Sequence, residues 1–500
     1  MPLIEKEEAL KVLRAYNPWW TSGKISPSFV KKLRRTAYYQ AMSLVAAKRL
    51  NRAILLSGPR RVGKTTILYQ IGDQAINGGI DPANVLYLTL EHPILKLLPI
   101  DEILDLYAQT IAGDGPCVVL LDELQYVDRP TRWLKILVDR FPNWHIVATG
   151  SASITLKNKD PESGVGRWVE VSVPTLSFFE YLLLRQYEAE DRKPPMFRSD
   201  LLPMDLAELK ANERQSILSS LKPFQKSLGT FLLQGGFPEP ALQEDMQLAQ
   251  RLTREDIVDK VLKRDMAAFY GVRKLQELEK LFVYMCLHTG SVLDVEQIGS
   301  QLKISRPTVY ALLSALEGAH LVRPLGSFRN TGKKILKRRT KWYIADASMR
   351  NSVLLRGRDL LNDPQEMGIV MESAVINQLS TYAHPVRPNI GYWQDNKSKE
   401  VDLVMDVPDG DCFAIEVKYR DTVHLPQDEG IYRYLAIKPT ASGTVVVKDA
   451  TDFEKRIVTA RDGRQLQVAL IPAHVFLFLI GHAEYQRNQA ATPRLRFSKK

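Results

Sequence analysis

Cysteine is scarce: there are three in 500 residues, Cys117, Cys286 and Cys412, with no CxxC or histidine-partner spacing. That excludes a disulfide framework and a Cys/His zinc site, and it fits a reducing compartment. Long apolar runs are also missing. The stretch Val475-Phe476-Leu477-Phe478-Leu479-Ile480 is far short of the roughly 20 residues that span a bilayer. The opening residues, Met1-Pro2-Leu3-Ile4-Glu5-Lys6-Glu7-Glu8, are acidic and lack the apolar core of a signal peptide. A cytoplasmic protein with no membrane role is expected. There are no internal repeats or low-complexity tracts, and 45% apolar with 25% charged residues is ordinary for folded protein, enough for about three to four domains.

The strongest signal is Gly58-Pro59-Arg60-Arg61-Val62-Gly63-Lys64-Thr65. It follows the apolar run Ala53-Ile54-Leu55-Leu56 and opens the helix-like Thr66-Ile67-Leu68-Tyr69-Gln70, so it reads as strand, glycine loop and helix. The glycines let the backbone wrap a phosphate chain, and the N–H groups and dipole of the helix start face the anionic oxygens. Gly58, Pro59, Arg60, Arg61, Val62, Gly63, Lys64, Thr65 and Thr66 are the expected ATP contacts. Lys64 is placed at the β and γ phosphates and Thr65 at Mg²⁺.

Further apolar runs, Val85 to Leu90, Cys117 to Leu121 and His145 to Thr149, alternate with helical stretches. The pattern predicts an α/β fold, a parallel sheet with helices on both faces. The third run ends in Asp122-Glu123. Asp122 is expected to hold the metal through its water shell and Glu123 to polarise the attacking water; a cap on the next helix is the plainer alternative. Thr149 and Ser151 are candidates for sensing the γ-phosphate, or are ordinary turn residues. An arginine at that phosphate is also expected, with Arg167 the first choice and Arg264 the second. Before Asn51, the spacing of Phe29, Leu33, Tyr38, Met42 and Val45 predicts a helix with Arg34-Arg35 on its polar side.

From Phe178 to Leu287 the chain reads as a helical lid, interrupted at Gln234-Gly235-Gly236-Phe237-Pro238. Asp294 to Leu302 and Ile304 to Leu313 then form a helix, a turn and a second helix, the pattern of a winged helix-turn-helix. The formal charge of +11, from 68 Lys and Arg against 57 Asp and Glu, is concentrated after it. Arg323, Arg329, Lys333, Lys334, Lys337, Arg338, Arg339 and Lys341 run without an acidic residue, and Arg487, Arg494, Arg496, Lys499 and Lys500 repeat the trend in the tail. Such a block is a solvated surface or the partner of a polyanion, DNA foremost.

Farther on, two apolar runs flank Pro408-Asp409-Gly410-Asp411 and predict a hairpin with Asp402 on one strand and Glu416 and Lys418 on one face of the other. Two carboxylates and an ammonium there are a candidate Mg²⁺ or Mn²⁺ site that activates water against a phosphodiester, with Glu372 as a further ligand. A surface hairpin of solvated charges is the alternative. The expected domains are a helical segment over 1–50, a P-loop ATPase core over 51–175, a helical lid over 176–287, a winged helix with the basic block over 288–340, a nuclease-like domain over 341–485 and a basic tail over 486–500.

Taken together, the phosphate loop, Leu121-Asp122-Glu123, Thr149-Gly150-Ser151, Gly166-Arg167 with Leu176-Ser177-Phe178-Phe179-Glu180, Gly235-Gly236-Phe237-Pro238-Glu239, and Glu400-Val401-Asp402 with Glu416-Val417-Lys418 resemble a known family. It is the prokaryotic AAA-type ATPases with a C-terminal PD-(D/E)XK, restriction-endonuclease-like domain related to Holliday junction resolvases. The resemblance implies an ATP-hydrolysing core, a winged-helix linker and a nuclease-like α/β fold. It puts Asp402, Glu416 and Lys418 at the signature positions, with Val401 where the signature often has proline. Three functions follow as alternatives: ATP-coupled, metal-dependent DNA cutting; a DNA-binding ATPase switch with a non-cleaving nuclease fold; or a regulatory ATPase that recognises a protein. A homo-oligomer is compatible with each.

Overall fold

Short runs rich in valine, leucine and isoleucine, largely buried, build all but one edge strand of the first sheet. The structure, a computed structural model, describes residues 5–47, 50–150, 166–328, 340–383, 388–407, 412–448, 453–460 and 463–493. It divides into two compact units, Met1–Pro174 with Tyr485–Lys500, and Thr175–Glu484.

In the first unit, β1 (Ala53–Ser57), β2 (Val85–Thr89), β3 (Cys117–Asp122), β4 (Trp144–Gly150) and β5 (Trp168–Ser172) form a parallel sheet in the order β2-β3-β4-β1-β5. Helices Lys64–Asn77, Ile100–Thr110 and Pro130–Arg140 alternate with the strands, which is how an all-parallel sheet covers its faces. The strands run the same way, so the carboxyl ends of β1, β3 and β4 share one edge. That edge gathers the phosphate loop, Asp122 and Thr149. The strand β5 is not among the runs that hydropathy picks out.

The edge strand β2 is not left open. Asn17 Oδ1 accepts from Tyr87 N at 2.6 Å while its Nδ2 donates to Tyr87 O at 2.9 Å. Trp19 Nε1 and Trp20 Nε1 both donate to Val85 O, at 2.8 and 2.9 Å. One amide and two indoles thus supply part of the pairing a neighbouring strand would make, and they blunt the edge. Two expectations for the N-terminal segment need correction. Helix Pro27–Val30 stops at Lys31, whose φ of 52° breaks the run before helix Thr36–Val45, so Phe29 and Tyr38 do not share a helix. Arg35 is buried, 5% exposed, rather than on a polar face.

The second unit begins with helix Phe178–Glu188, capped reciprocally by Ser177 and Glu180; after an irregular stretch over 189–202 it is mainly helical to the end of helix Leu275–Leu287. Next come β6 (Ser291–Leu293), helices Val295–Leu302 and Arg306–Gly318, β7 (Val322–Gly326) and β8 (Thr340–Ile344). The three strands form an antiparallel sheet in the order β6-β8-β7. The expected boundary at residue 340 therefore moves: Lys341 to Ile344 belong to this small sheet, since Trp342 pairs with both Ser291 and Pro324.

A six-stranded mixed sheet follows: β9 (Asn389–Gln394), β10 (Glu400–Asp406), β11 (Cys412–Lys418), β12 (Ala441–Val447), β13 (Glu454–Thr459) and β14 (Gln465–Pro472), ordered β13-β14-β12-β11-β10-β9. Helices Pro364–Ala383 and Gly430–Ile437 accompany it, and Val401, Val404, Ala414, Ile431 and Val445 lie in its core. Phe328 N donates to Tyr392 O at 2.6 Å, tying the end of β7 to β9. Val475 to Ile480, the apolar run noted above, is core within helix Ala473–Ala491. No helix among the described residues is long and apolar enough to cross a membrane.

Candidate functional site

Between β1 and helix Lys64–Asn77 the chain makes a tight loop. Gly63 has φ 95°, the left-handed region that glycine enters at least cost. At Gly58 a Cβ would lie 2.1 Å from Val173 O, so only glycine fits there. The loop is also held from outside. Arg35 Nη1 donates to Val62 O at 3.0 Å and to Pro174 O at 2.8 Å. Lys64, 7% exposed, turns its ammonium onto Gly58 O and Pro59 O at 2.9 and 2.8 Å.

Asp122, at the tip of β3, is 4% exposed and gathers three hydroxyls. Its Oδ2 accepts from Thr65 Oγ1 and from Tyr87 OH, each at 2.8 Å, and its Oδ1 accepts from Thr149 Oγ1 at 2.5 Å. The Thr149 hydroxyl accepts in turn from Glu123 N at 2.9 Å. Thr149, read from sequence as a phosphate sensor or turn residue, thus braces the acidic pair. Glu123 is a non-glycine residue at φ 60°, a strained conformation that persists only where surroundings fix it. Burial pushes its carboxyl above the ordinary range, the Lys64 ammonium pulls it back, Asp122 raises it, and the Arg60 guanidinium and a hydrogen bond from Gln125 lower it. Glu123 is therefore electrostatically tied to the loop cations. Ser151 lies outside the described residues.

This donor set fits Mg²⁺ with a nucleotide: a helix start behind a glycine cradle, an ammonium at its mouth, and a hydroxyl and carboxylate already 2.8 Å apart.

The first choice of arginine needs correction. Arg167 stands one residue before β5, where Trp168 pairs with Ala53 at the start of β1, whereas the loop leaves from the far end of β1. Its Nη2 lies 3.0 Å from Asp139 Oδ1. Arg167 cannot serve the γ-phosphate of its own chain. Arg264 is exposed on the helical segment Val261–Asp265 of the second unit.

A second constellation lies at the small and six-stranded sheets of the second unit. Asp402 on β10 accepts from Val417 N on β11 at 2.8 Å. Glu416 on β11 is 4% exposed; its Oε1 lies 2.7 Å from Lys418 Nζ, while Oε2 is buried with no hydrogen-bond partner among the described residues. Lys418 Nζ also meets Glu429 at 2.8 Å. Glu372, from helix Pro364–Ala383, accepts from Tyr343 OH at 2.7 Å and lies 3.6 Å from Lys341 Nζ; Lys341 also pairs closely with Glu400. Burial, then Asp402, push the Glu372 carboxyl up to about 7 against the opposing pull of Lys341 and Tyr343. The same two causes lift Glu416 well above the usual range. Burial pulls the Lys341 ammonium down, yet Glu372, Asp402 and Glu400 outweigh it and the net direction is up.

The expected metal set of Glu372, Asp402 and Glu416 is not assembled as such: among the described residues no three or more His, Cys, Asp or Glu side chains are gathered to hold an ion. The physical reason is that lysine ammoniums, a tyrosine hydroxyl and a main-chain N–H answer these carboxylates. Sequence reasoning missed Lys341, Tyr343, Glu400 and Glu429 as members. Of the basic block, Lys341 is 5% exposed and Arg323 is half-buried beside Glu317. Residues 329–339, the hairpin turn 408–411 and the tail from 494 lie outside the described residues.

Comparison with known proteins places these observations. Residues 50–182 match a family model described as an AAA domain, residues 225–360 a domain of unknown function (DUF8612), and residues 367–461 another (DUF4143). An uncharacterized protein of Methanocaldococcus jannaschii is 24% identical over 360 residues, 71% of this chain and 72% of that one. An uncharacterized protein of Mycobacterium tuberculosis is 25% identical over 389 residues, 75% of this chain and 74% of that one. Among solved structures, the Aeropyrum pernix ORC1 protein in complex with DNA aligns with a TM-score of 0.32 at 15% identity, covering 68% of this chain and 96% of that one. The replication initiator DnaA bound to AMPPCP and single-stranded DNA aligns at 0.25 with 15% identity, covering 56% of this chain and 86% of that one. Likenesses this slight carry no argument. The family match and the loop geometry support an AAA-type P-loop ATPase domain in the first unit.

Proposed function

We propose that the chain is a DNA-binding ATPase of the cytoplasm, in which the first unit binds and hydrolyses Mg²⁺-ATP and the second couples that cycle to a nucleic acid. The observation that carries the ATPase reading is the bond from Thr65 to Asp122 beside a glycine loop that accepts no Cβ at Gly58. Bound Mg²⁺ would neutralise charge on the phosphates. Lys64 would hold the nucleotide's outer phosphates, Thr65 and, through its water shell, Asp122 would hold the metal, and Glu123 would polarise the attacking water.

Support for DNA comes from two sources. The order helix Leu275–Leu287, β6, two helices, β7, β8 is consistent with a winged helix-turn-helix, and the basic block follows its second helix. The cations that grip phosphate are then Lys333, Lys334, Lys337, Arg338 and Arg339, since Lys341 is buried. A second copy of the chain, in a homo-oligomer, would supply an arginine to the γ-phosphate.

The test is ATP hydrolysis with and without linear, branched and single-stranded DNA, with cleavage of each DNA followed in parallel. DNA-stimulated turnover that Lys64→Ala abolishes is expected. Neutralising the five cations should flatten the salt dependence of DNA affinity by about 0.9 in log–log slope for each one that grips a phosphate. An unchanged slope identifies a protein as the partner instead. A second reading, Mg²⁺- or Mn²⁺-dependent cutting at Asp402, Glu416 and Lys418, is favoured by one observation, the buried unpartnered oxygen of Glu416. Cleavage lost in Asp402→Ala with Lys418→Ala supports it. DNA left equally intact by wild type and variant ends it.

A further inference from the structure

The carboxylate cluster of the second unit already contains a cation, and it comes from outside the six-stranded sheet. Lys341 belongs to β8 of the small sheet, where it pairs with Val292 and Leu325. Its side chain is 7% exposed, its Nζ reaches Glu372 and Glu400, and it lies over the Tyr392 ring at 5.4 Å. Tyr343, two residues on and on the same face of the strand, donates to the same Glu372 oxygen. Asp402 stands beside Glu416 across the strands, next to the Leu403–Ile415 pair and accepting from Val417 N at 2.8 Å, and it acts electrostatically on Glu372, Glu400 and Lys341 as well.

Buried carboxylates are tolerated only when paired. In this cluster the pairing is unequal. Lys341 answers Glu372 and Glu400, and Lys418 answers one oxygen of Glu416, but Glu416 Oε2 is buried without a partner among the described residues. An oxygen in that condition points to a missing cation or donor. A divalent ion that also bound Glu372 would share that carboxyl with the Lys341 ammonium, which stands 3.6 Å from Glu372 Oε1, and two cations on one buried carboxyl repel strongly.

We propose that Lys341 is a built-in counter-cation that competes with a divalent metal for this cluster, so that Mg²⁺ or Mn²⁺ enters only at the lysine's expense. The proposal rests on the metal-dependent second reading of this site and names its regulation: the strand that carries the competing charge belongs to the helix-turn-helix sheet, not to the sheet that carries Asp402 and Glu416. It accounts for the absence of a ready-made ligand group among the described residues here, because the lysine-closed arrangement is the one the structure shows.

The experiment is Mn²⁺ binding to the nucleotide-free full chain, followed by electron paramagnetic resonance of free Mn²⁺, for wild type, Asp402→Asn, Lys341→Arg, Lys341→Gln, and Lys341→Gln with Asp402→Asn. Lys341→Gln should gain a site more than about tenfold tighter than wild type, the least expected from removing a cation beside a divalent ion. Lys341→Arg should resemble wild type, and the added Asp402→Asn should abolish the gain. Equal, Asp402-dependent binding by wild type and Lys341→Gln overturns the competition while leaving the metal reading intact. Failure of both to bind ends the metal reading and the competition with it. A second measurement needs no variant at residue 341: amine acylation of Lys341 read by mass spectrometry should speed up as Mn²⁺ is added to wild type and stay slow in Asp402→Asn. Labelling that Mn²⁺ leaves unchanged overturns the proposal even if Lys341→Gln does not fold.

Discussion

The Thr65 hydroxyl donates a 2.8 Å hydrogen bond to Asp122 Oδ2, joining the first turn of the loop helix to the tip of β3. Tyr87 and Thr149 hold the same carboxylate, so removing Thr65 Oγ1 does not release it. Thr65→Ala should therefore keep its fold, with melting little changed, and lose the metal-dependent part of nucleotide affinity. Calorimetry with ATP in Mg²⁺ and in EDTA separates the two parts. Equal strengthening by Mg²⁺ in wild type and variant would remove Thr65 from the metal.

Glu123 carries a second prediction. Glu123→Gln should bind ATP as wild type does and lose turnover by about 10²–10⁴, the usual contribution of a positioned general base. The wild-type pH profile adds an independent check. A base acts when ionised, and burial raises this carboxyl above its ordinary 4.5. Turnover should therefore fall on the acid side at a pH higher than 4.5. The Gln125 hydrogen bond lowers the carboxyl, so Gln125→Ala should move the acid limb to still higher pH. A limb that Gln125→Ala leaves in place would assign the titration to another group.

Arg34 and Arg35 are neighbours in sequence with different fates. Arg35 is buried and donates to Val62 O and Pro174 O, whereas Arg34 is 28% exposed and lies 3.8 Å from Asp73. Arg35→Ala leaves two carbonyls without that donor and should cost about 1–3 kcal/mol. Nucleotide affinity should fall by about tenfold as the loop loosens, the change that about 1.4 kcal/mol produces. Arg34 donates instead to Tyr38 OH and Gln74 Oε1, so Arg34→Ala should lose stability through those contacts and leave nucleotide affinity unchanged. Thermal melts and nucleotide titration of both variants decide it; equal losses of nucleotide affinity would refute the clamp.

The phosphate loop and Asp122-Glu123 are readable from sequence because their signal is local: a buried strand, two glycines and a carboxylate pair within a few residues of each strand end. The alternation that puts Glu416 and Lys418 on one face is local as well. What cannot be read depends on neighbours distant in the chain. Arg35 is a clamp because helix Thr36–Val45 begins beside the loop, and a charge count cannot distinguish it from Arg34. Lys341 looks like part of a DNA-binding block because eight bases occur together, yet its neighbour Val292 on β6 stands 49 positions earlier and turns it inward. Arg167 stands out for its place in a motif, while the register of β5 with β1 sets it at the wrong end of the sheet.

His482 offers a test of stability against pH. It is fully buried, its Nε2 accepts from Phe197 N at 3.0 Å, and the rings of Phe179, Phe197 and Phe478 surround it at 5.1 to 5.9 Å. Burial lowers its pKa to about 4 from 6.5. The folded value lies below the unfolded one, so the unfolded chain takes up a proton first as pH falls. The neutral ring's contribution to stability is complete above pH 6.5 and is lost progressively between 6.5 and about 4. Urea unfolding at steps from pH 7.5 to 4.5 should show this residue adding a slope of up to about 1.4 kcal/mol per pH unit. His482→Phe removes the titration but strands the Phe197 N–H, so it should be less stable at pH 7.5 by about 1–3 kcal/mol and depend less on pH below 6.5. Parallel curves for wild type and variant across that range would show that the ring is protonated as readily in the fold as in the unfolded chain.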